Sequence, residues 1–214
     1  EKILSKTPKK LIAAEKDKSL VKNLHKKFEN NILLLNEDIL KIDEKKYSDK
    51  PMIVFGNLPY NISTQILIKW IRYENLNNIF KRFILMFQKE VAERIIAKTN
   101  TKNYGRLAVL SSWKLNIKKI LDVSPNSFYP VPKVKSSVLL IEPKNNSLNF
   151  KNSKNLEKIT NIFFSNKRKM VNKTFKKLSN KFDINEVKDL NLKSRPSDLK
   201  PEIFYRITEL FENS

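Results

Sequence analysis

The sequence has no cysteine and a single histidine, His25, among 214 residues. The first absence excludes disulfides, cysteine-ligated zinc, iron–sulfur clusters and a cysteine nucleophile. The second leaves no histidine-rich site and no serine–histidine relay, so no metal is expected. Only two glycines are present, Gly56 and Gly105, too few for a glycine-rich phosphate loop. No apolar run approaches the roughly 18 residues of a transmembrane helix. The N-terminal stretch EKILSKTPKK lacks the apolar core of a secretory signal.

Acidic residues are scarce beside basic ones. Lys and Arg number 43 against 22 Asp and Glu, a formal net charge of +21. That excess opposes folding by self-repulsion unless a polyanion offsets it. RNA or DNA is therefore the expected partner, and an anionic membrane surface the lesser one. The bland alternative is codon bias, since Lys, Asn and Ile abound while Gly is rare. At this length, a hydrophobic content of 40% supports one large domain, or one domain with a small appendage.

Apolar runs alternate with helical stripes over the first two thirds of the chain. Lys10–Ala14, Ile32–Leu35, Met52–Phe55, Phe83–Phe87, Trp113–Val123 and Ser136–Ile141 read as strands. Met52–Phe55 is apolar throughout, which predicts burial on both faces. Asp17–Phe28 carries a helical stripe of Leu20, Val21, Leu24 and Phe28, with His25 among lysines as a surface residue. Lys89–Lys98 and Tyr104–Ser112 also read as helices, and Ser63 or Thr64 is placed to cap one running to Ile71. Strands separated by helices predict an α/β fold with a parallel sheet. Pro143–Asn155 is polar and Asn-rich, which suits a linker. Beyond it, Leu156–Leu178 and Asn185–Phe211 read as helical. The expected organisation is an α/β domain over 1–145 and a small all-helical domain over 146–214.

Four groups of residues carry chemistry. Asn57-Leu58-Pro59-Tyr60 directly follows the MIVFG run, and ligands in open α/β sheets bind at the carboxyl ends of strands. An Asn side-chain oxygen and a backbone carbonyl can accept both hydrogens of an amino group, and Tyr can stack on the ring that bears it. Pro59 lacks an N–H and pushes its predecessor into an extended conformation. The segment SFYPVPKVKSS at 127–137 is stiffened by two prolines and offers Phe128 as a second aromatic wall. Glu15 and Asp38 end apolar runs, where an acid can accept from ribose hydroxyls. Residues 151–181 hold ten Lys or Arg against one acid, Glu157, and are densest at Asn166-Lys167-Arg168-Lys169. A phosphate-binding surface on helices is expected there.

Longer stretches carry a resemblance: FGNLPYNIST at 55–64, QKEVAERI at 88–95, YGRLAV at 104–109, FYPVPKVKSSV at 128–138, NKRKMVNKTF at 166–175 and RPSDLKPEIFYRI at 195–207. In these, and in their order, the chain resembles the adenine N6,N6-dimethyltransferases of small-subunit ribosomal RNA, the bacterial KsgA type. The resemblance implies a Rossmann-like methyltransferase domain that uses S-adenosylmethionine, followed by a small helical domain. It implies that Glu15 holds the cofactor ribose and Asp38 the amino group of the cofactor adenine. Asn57 and the backbone of Leu58–Pro59 would hold the target N6, with Asn57 also at the cofactor. Tyr60 and Phe128 would sandwich the target base. Lys167, Arg168, Lys169, Arg106 and Lys133 are the candidate RNA contacts. The implied substrate is a pair of adjacent adenines in a hairpin near the 3′ end of small-subunit rRNA, reached in the 30S particle by a cytoplasmic, monomeric enzyme during ribosome biogenesis.

Adenine N6 chemistry agrees with the composition. The N6 lone pair is delocalised into the ring, and positioning plus hydrogen-bond acceptance can localise it without a strong base or a metal. The chain departs from the family at its start. The family's glycine-rich cofactor turn follows a first strand, and Glu1-Lys2-Ile3-Leu4 resembles the helix just after that turn. With Glu rather than Met at position 1, the chain reads as a piece of a longer enzyme. It is expected to bind cofactor poorly on its own, with apolar edges exposed at Lys10–Ala14 and Met52–Phe55. Two alternatives remain at this point: a non-catalytic rRNA-binding assembly factor, against which the intact NLPY and FYPVP segments speak, and a large-subunit rRNA dimethylase, against which NKRKMVNKTF speaks.

Overall fold

Short apolar runs pair first with each other. In a computed structural model that describes residues 2–28, 31–176, 178 and 182–214, β1 (Ile12–Ala14) lies parallel to β2 (Leu33–Leu35), with Ala14 opposite Leu35. The crossover between them contains α1 (Lys18–Phe28). Asp17 starts this helix: its carboxylate accepts the backbone N–H groups of Ser19 (2.7 Å) and Leu20 (3.3 Å), two donors with no partner inside the helix. The Ser19 hydroxyl, which also donates to this carboxylate (2.6 Å), and then these two amides hold the Asp17 carboxyl below its usual range. His25, Lys26 and Lys27 occupy the last turn, where the helix dipole favours positive charge. These elements form one compact unit, Glu1–Tyr47.

The second unit, Ser48–Ser214, is built on a four-stranded sheet in the order β3 (Met52–Asn57), β4 (Phe80–Gln88), β6 (Ser136–Pro143), β5 (Leu115–Val123). Only β3 and β4 are parallel; β6 runs against both β4 and β5. The expectation of a parallel sheet is thus corrected to a mixed one. The physical reason lies in the connections. A parallel pair needs a crossover, usually helical, and the proline-stiffened segment between β5 and β6 forms only one short 3-10 turn, Pro125–Ser127.

Burial on both faces of Met52–Phe55 is also not observed. β3 is an edge strand of this sheet, and Ile53 and Phe55 are exposed while their neighbours are half-buried. An apolar run reports that a strand prefers burial, not that each face has a cover. The central strands satisfy the pattern better: Phe83, Leu85 and Phe87 of β4 and Leu139 and Ile141 of β6 are buried. Trp70 of α2 (Ser63–Ile71) stacks on Phe83 at 5.0 Å, and Phe83 meets Phe80 at 4.7 Å. Each such side chain contributes about 1.5–3 kcal/mol by leaving water. Ser63 does not cap α2. It is the first helical residue, and its hydroxyl donates to the Tyr60 carbonyl (3.2 Å).

After the short α3 (Leu76–Ile79) and α4 (Lys89–Ile95) comes α5 (Arg106–Lys114), which packs against α2, α4, α6 (Ser153–Phe164) and α8 (Pro201–Asn213). Phe163 of α6 meets Phe204 of α8 and Phe175 of α7 (Asn172–Lys176) edge-on at 5.6 and 5.0 Å. Residues 146–214 show no strand among the described residues, but their two expected helices are interrupted. Residues 165–168 form a turn, and beyond it the Val171 and Asn172 amides donate to the carbonyls of Ser194 and Leu192 (2.9 and 3.2 Å). Those long-range bonds draw the backbone out of the helical path, so NKRK sits on a turn rather than on a helix. Lys177 and Lys181 of the basic segment lie outside the described residues.

The polar stretch after Pro143 is a strap and not a free linker. The Lys144 amide and ammonium bond the carbonyls of Lys114 (2.8 Å) and Ser112 (2.6 Å). The Trp113 indole donates to the Leu148 carbonyl (2.7 Å) and packs on Phe150 at 4.9 Å. The amides of Lys151 and Asn152 donate to the Glu212 carboxylate (2.8 and 3.0 Å).

Candidate active site and RNA-binding surface

Register places two loops at one end of the second unit's sheet. Asn57 lies opposite Met86 near the end of β4, Gln88 opposite Ser136, and Ser136 opposite Val123 at the end of β5. The NLPY loop leaves β3 there, and the segment 124–135 joins β5 to β6 at the same edge. Gly56 makes the first loop possible. A Cβ on it would stand 2.8 Å from Leu58 Cδ2 and 3.0 Å from Leu85 Cδ2. The missing side chain lets Leu58 fold back and bury while Asn57 stays exposed.

The loop's acceptors are unequal. The Pro59 carbonyl closes a turn by accepting the Ile62 amide (3.1 Å). Among the described residues neither the Leu58 carbonyl nor the Asn57 side chain has a hydrogen-bond partner. Both remain available to an incoming amino group. The Tyr60 hydroxyl is anchored on the Ser136 hydroxyl at 2.6 Å.

Phe128 follows the Pro125–Ser127 turn and is half-buried, its amide donating to the Pro125 carbonyl (3.1 Å). Tyr129 beside it is fully exposed. At this edge Asp122 collects three partners: the Ser137 hydroxyl donates to it (2.6 Å), and the Lys89 and Lys119 ammoniums approach to 3.1 and 3.3 Å. The Ser137 bond, then Lys89, hold its carboxyl down at about 2. Residue type alone marks neither Ser136 nor Asp122. The only signal is the adjacent serine pair in KVKSSV, which an apolar strand has no reason to bury unpaired.

Glu15 and Asp38 come together in the first unit, just beyond the carboxyl ends of the parallel pair β1 and β2. Glu15 Oε1 accepts the Asp17 amide (2.8 Å). Asp38 Oδ1 accepts the Leu40 amide (3.0 Å), and Oδ2 pairs with Lys16, the residue after Glu15, at 3.0 Å. The Leu40 amide first, and then Lys16, hold the Asp38 carboxyl below its usual range. Asn36 ties the two ends by donating to the carbonyls of Glu15 and Lys16 (3.0 and 3.1 Å).

The five candidate RNA contacts separate by what they already touch. The Lys167 ammonium donates to the carbonyls of Lys102 (2.9 Å) and Tyr104 (2.6 Å). Arg106 reaches Glu157 at 3.4 Å, and Arg72 grips the same carboxylate through two nitrogens at 2.7 and 3.0 Å. The one acid of the basic segment is thus occupied by two arginines. Arg168, Lys169 and Lys133 are exposed, and among the described residues their side chains have no partner.

A dimethyladenosine transferase from Plasmodium falciparum has a solved structure that matches with a TM-score of 0.75 at 26% identity, covering 93% of this chain and 80% of that one. The fold and the loop at the end of β3 define a Rossmann-like methyltransferase. The similarity continues in sequence. The ribosomal RNA small subunit methyltransferase A of Pelagibacter ubique is 52% identical over 99% of this chain and 81% of its own length. That of Ehrlichia chaffeensis is 42% identical over 96% and 79%. The pattern of the ribosomal RNA adenine dimethylase family matches residues 1–213, and the chain belongs to that family.

Proposed function

We propose that this protein transfers methyl groups to N6 of two adjacent adenines in small-subunit rRNA, giving N6,N6-dimethyladenosine during ribosome biogenesis. The observation that carries the reading is the pair of available acceptors, Asn57 Oδ1 and the Leu58 carbonyl, in a loop at the end of β3 in a chain of this family. S-adenosylmethionine is the cofactor, and when bound it supplies an electrophilic methyl group on a positively charged sulfur.

The chain's own residues bind and orient. Glu15 accepts from the cofactor ribose and Asp38 from the cofactor adenine, sharing its carboxylate with Lys16. Asn57 and Leu58 accept the two N6 hydrogens and draw the lone pair out of ring conjugation. Each transfer breaks the methyl–sulfur bond and leaves N6 with one proton in excess, which is lost to water; after the first a single N6 hydrogen remains, so one acceptor suffices for the second. Tyr60 and Phe128 stack the base once it has left its helix, contacts worth about 1–3 kcal/mol per base. Arg168, Lys169 and Lys133 hold phosphates without reading sequence. The helices beyond residue 145 form the RNA-facing part, and the enzyme acts as a monomer on the 30S particle in the cytoplasm.

Asn57→Ala tests the reading. Methyl incorporation into unmethylated 30S particles should fall about 10²–10³-fold, the usual loss when one preorganised partner of the reacting group is removed. Near-normal turnover would remove Asn57 from the chemistry.

A further inference from the structure

Ser136 and Ser137 open β6, and both are fully buried. Successive residues of a strand face opposite sides of the sheet, and each hydroxyl finds one partner on its own side. Ser137 donates to Asp122, which Lys89 and Lys119 also hold. Ser136 bonds the Tyr60 hydroxyl at 2.6 Å, at the short end of the range for two hydroxyls. The Lys89 amide ties the same corner down by donating to the Lys135 carbonyl (2.9 Å). The first residues of β6 are therefore fixed from both faces and along the edge.

Tyr60 is held at both ends. Its backbone lies in the turn that Ile62 closes on Pro59, and its hydroxyl is fixed by Ser136. Conjugation keeps the phenolic hydrogen and lone pair near the ring plane, so a partner in a fixed place selects the plane as well as the position. We propose that Ser136 is a positioning residue for the target base. It sets the plane of the Tyr60 ring, and so the plane in which an adenine presents N6 to Asn57 and Leu58. This rests on the reading that Tyr60 stacks on that adenine.

The test compares Ser136→Ala, Tyr60→Phe and the double variant with wild type in steady-state methylation of unmethylated 30S particles, with thermal unfolding of each. Each single variant removes one neutral hydrogen bond, so kcat should fall about three- to tenfold. KM for the particle should hold, because phosphate contacts set it. The double variant should be no slower than the slower single one, since both changes remove one interaction. Fully additive losses, an unchanged kcat in either single variant, or a change confined to KM would overturn the inference. If Ser136→Ala does not fold, Tyr60→Phe alone decides by the same split between kcat and KM. A wild type that binds S-adenosylmethionine in calorimetric titration yet transfers no methyl would overturn the underlying reading and this inference together; an active wild type matched by the variants would overturn only the inference.

Discussion

Lys167, Arg168 and Lys169 are adjacent and identically charged, yet their surroundings differ. Lys167 bonds two carbonyls, whereas Arg168 and Lys169 extend from the turn. Replacing the latter two with glutamine should remove two phosphate contacts. At about 0.7–0.9 per contact, the slope of log affinity against log salt should fall by about 1.4–1.8. Between 50 and 200 mM salt, wild type should then lose about seven- to twelvefold more affinity for 30S particles than the double variant does. Lys167→Gln should leave the slope alone and act on stability. The Tyr104 carbonyl it abandons is partly buried while that of Lys102 is exposed, so we count one charged hydrogen bond, about 1.5 kcal/mol. For a chain of this size that is about 3–6 °C in Tm. Salt titrations of binding, paired with thermal scans, separate the two effects. A lowered slope with unchanged Tm in Lys167→Gln would refute the division, as would an unchanged slope in the double variant.

Three further outcomes are expected. Phe128→Ala should lower methylation but keep the wild-type salt slope, because a stacking wall carries no charge; a flattened slope in the same titration would contradict it. Gly56→Ala should force Leu58 or Leu85 aside and cost about 1–3 kcal/mol, read as a lower Tm with reduced turnover; an unperturbed Tm would mean the leucines yield freely. Asp122 has a folded pKa of about 2, below its unfolded value of about 3.9, so its contribution is present above about pH 4 and lost as pH falls toward 2. The Tm difference between wild type and Asp122→Asn should therefore shrink across that window, and a constant difference would dismiss the network as stabilising.

The strands and the NLPY loop were legible because they depend on local pattern: an apolar run, then Asn, a proline and an aromatic. What the pattern does not encode is direction or distant partnership. The β5–β6 pair is antiparallel because its connection has no crossover helix, a fact visible only in the poor helical character of FYPVPKVK. Tyr60 and Ser136 stand 76 residues apart, and nothing in either motif names the other. Lys167 is indistinguishable from Arg168 by composition; only the turn at 165–168, forced by bonds to Leu192 and Ser194, carries its ammonium to the Tyr104 carbonyl. Glu157 likewise reads as a minor interruption of a basic run, and nothing in that run shows that Arg72 and Arg106 converge on it.

The strap from Pro143 to Asn152 has a mechanical consequence. It is fastened along its length to α5 and, at its far end, to Glu212 of α8. A chain joined by slack would let the basic turn and the NLPY loop drift apart, and RNA could find either one alone. Fastened in this way, they stand at a set separation, like the jaws of a caliper. Under the proposed function, a hairpin whose phosphates rested on Arg168 and Lys169 would deliver to Tyr60 only the nucleotide at the matching distance along its backbone. Length would select the adenine where no side chain reads a neighbouring base.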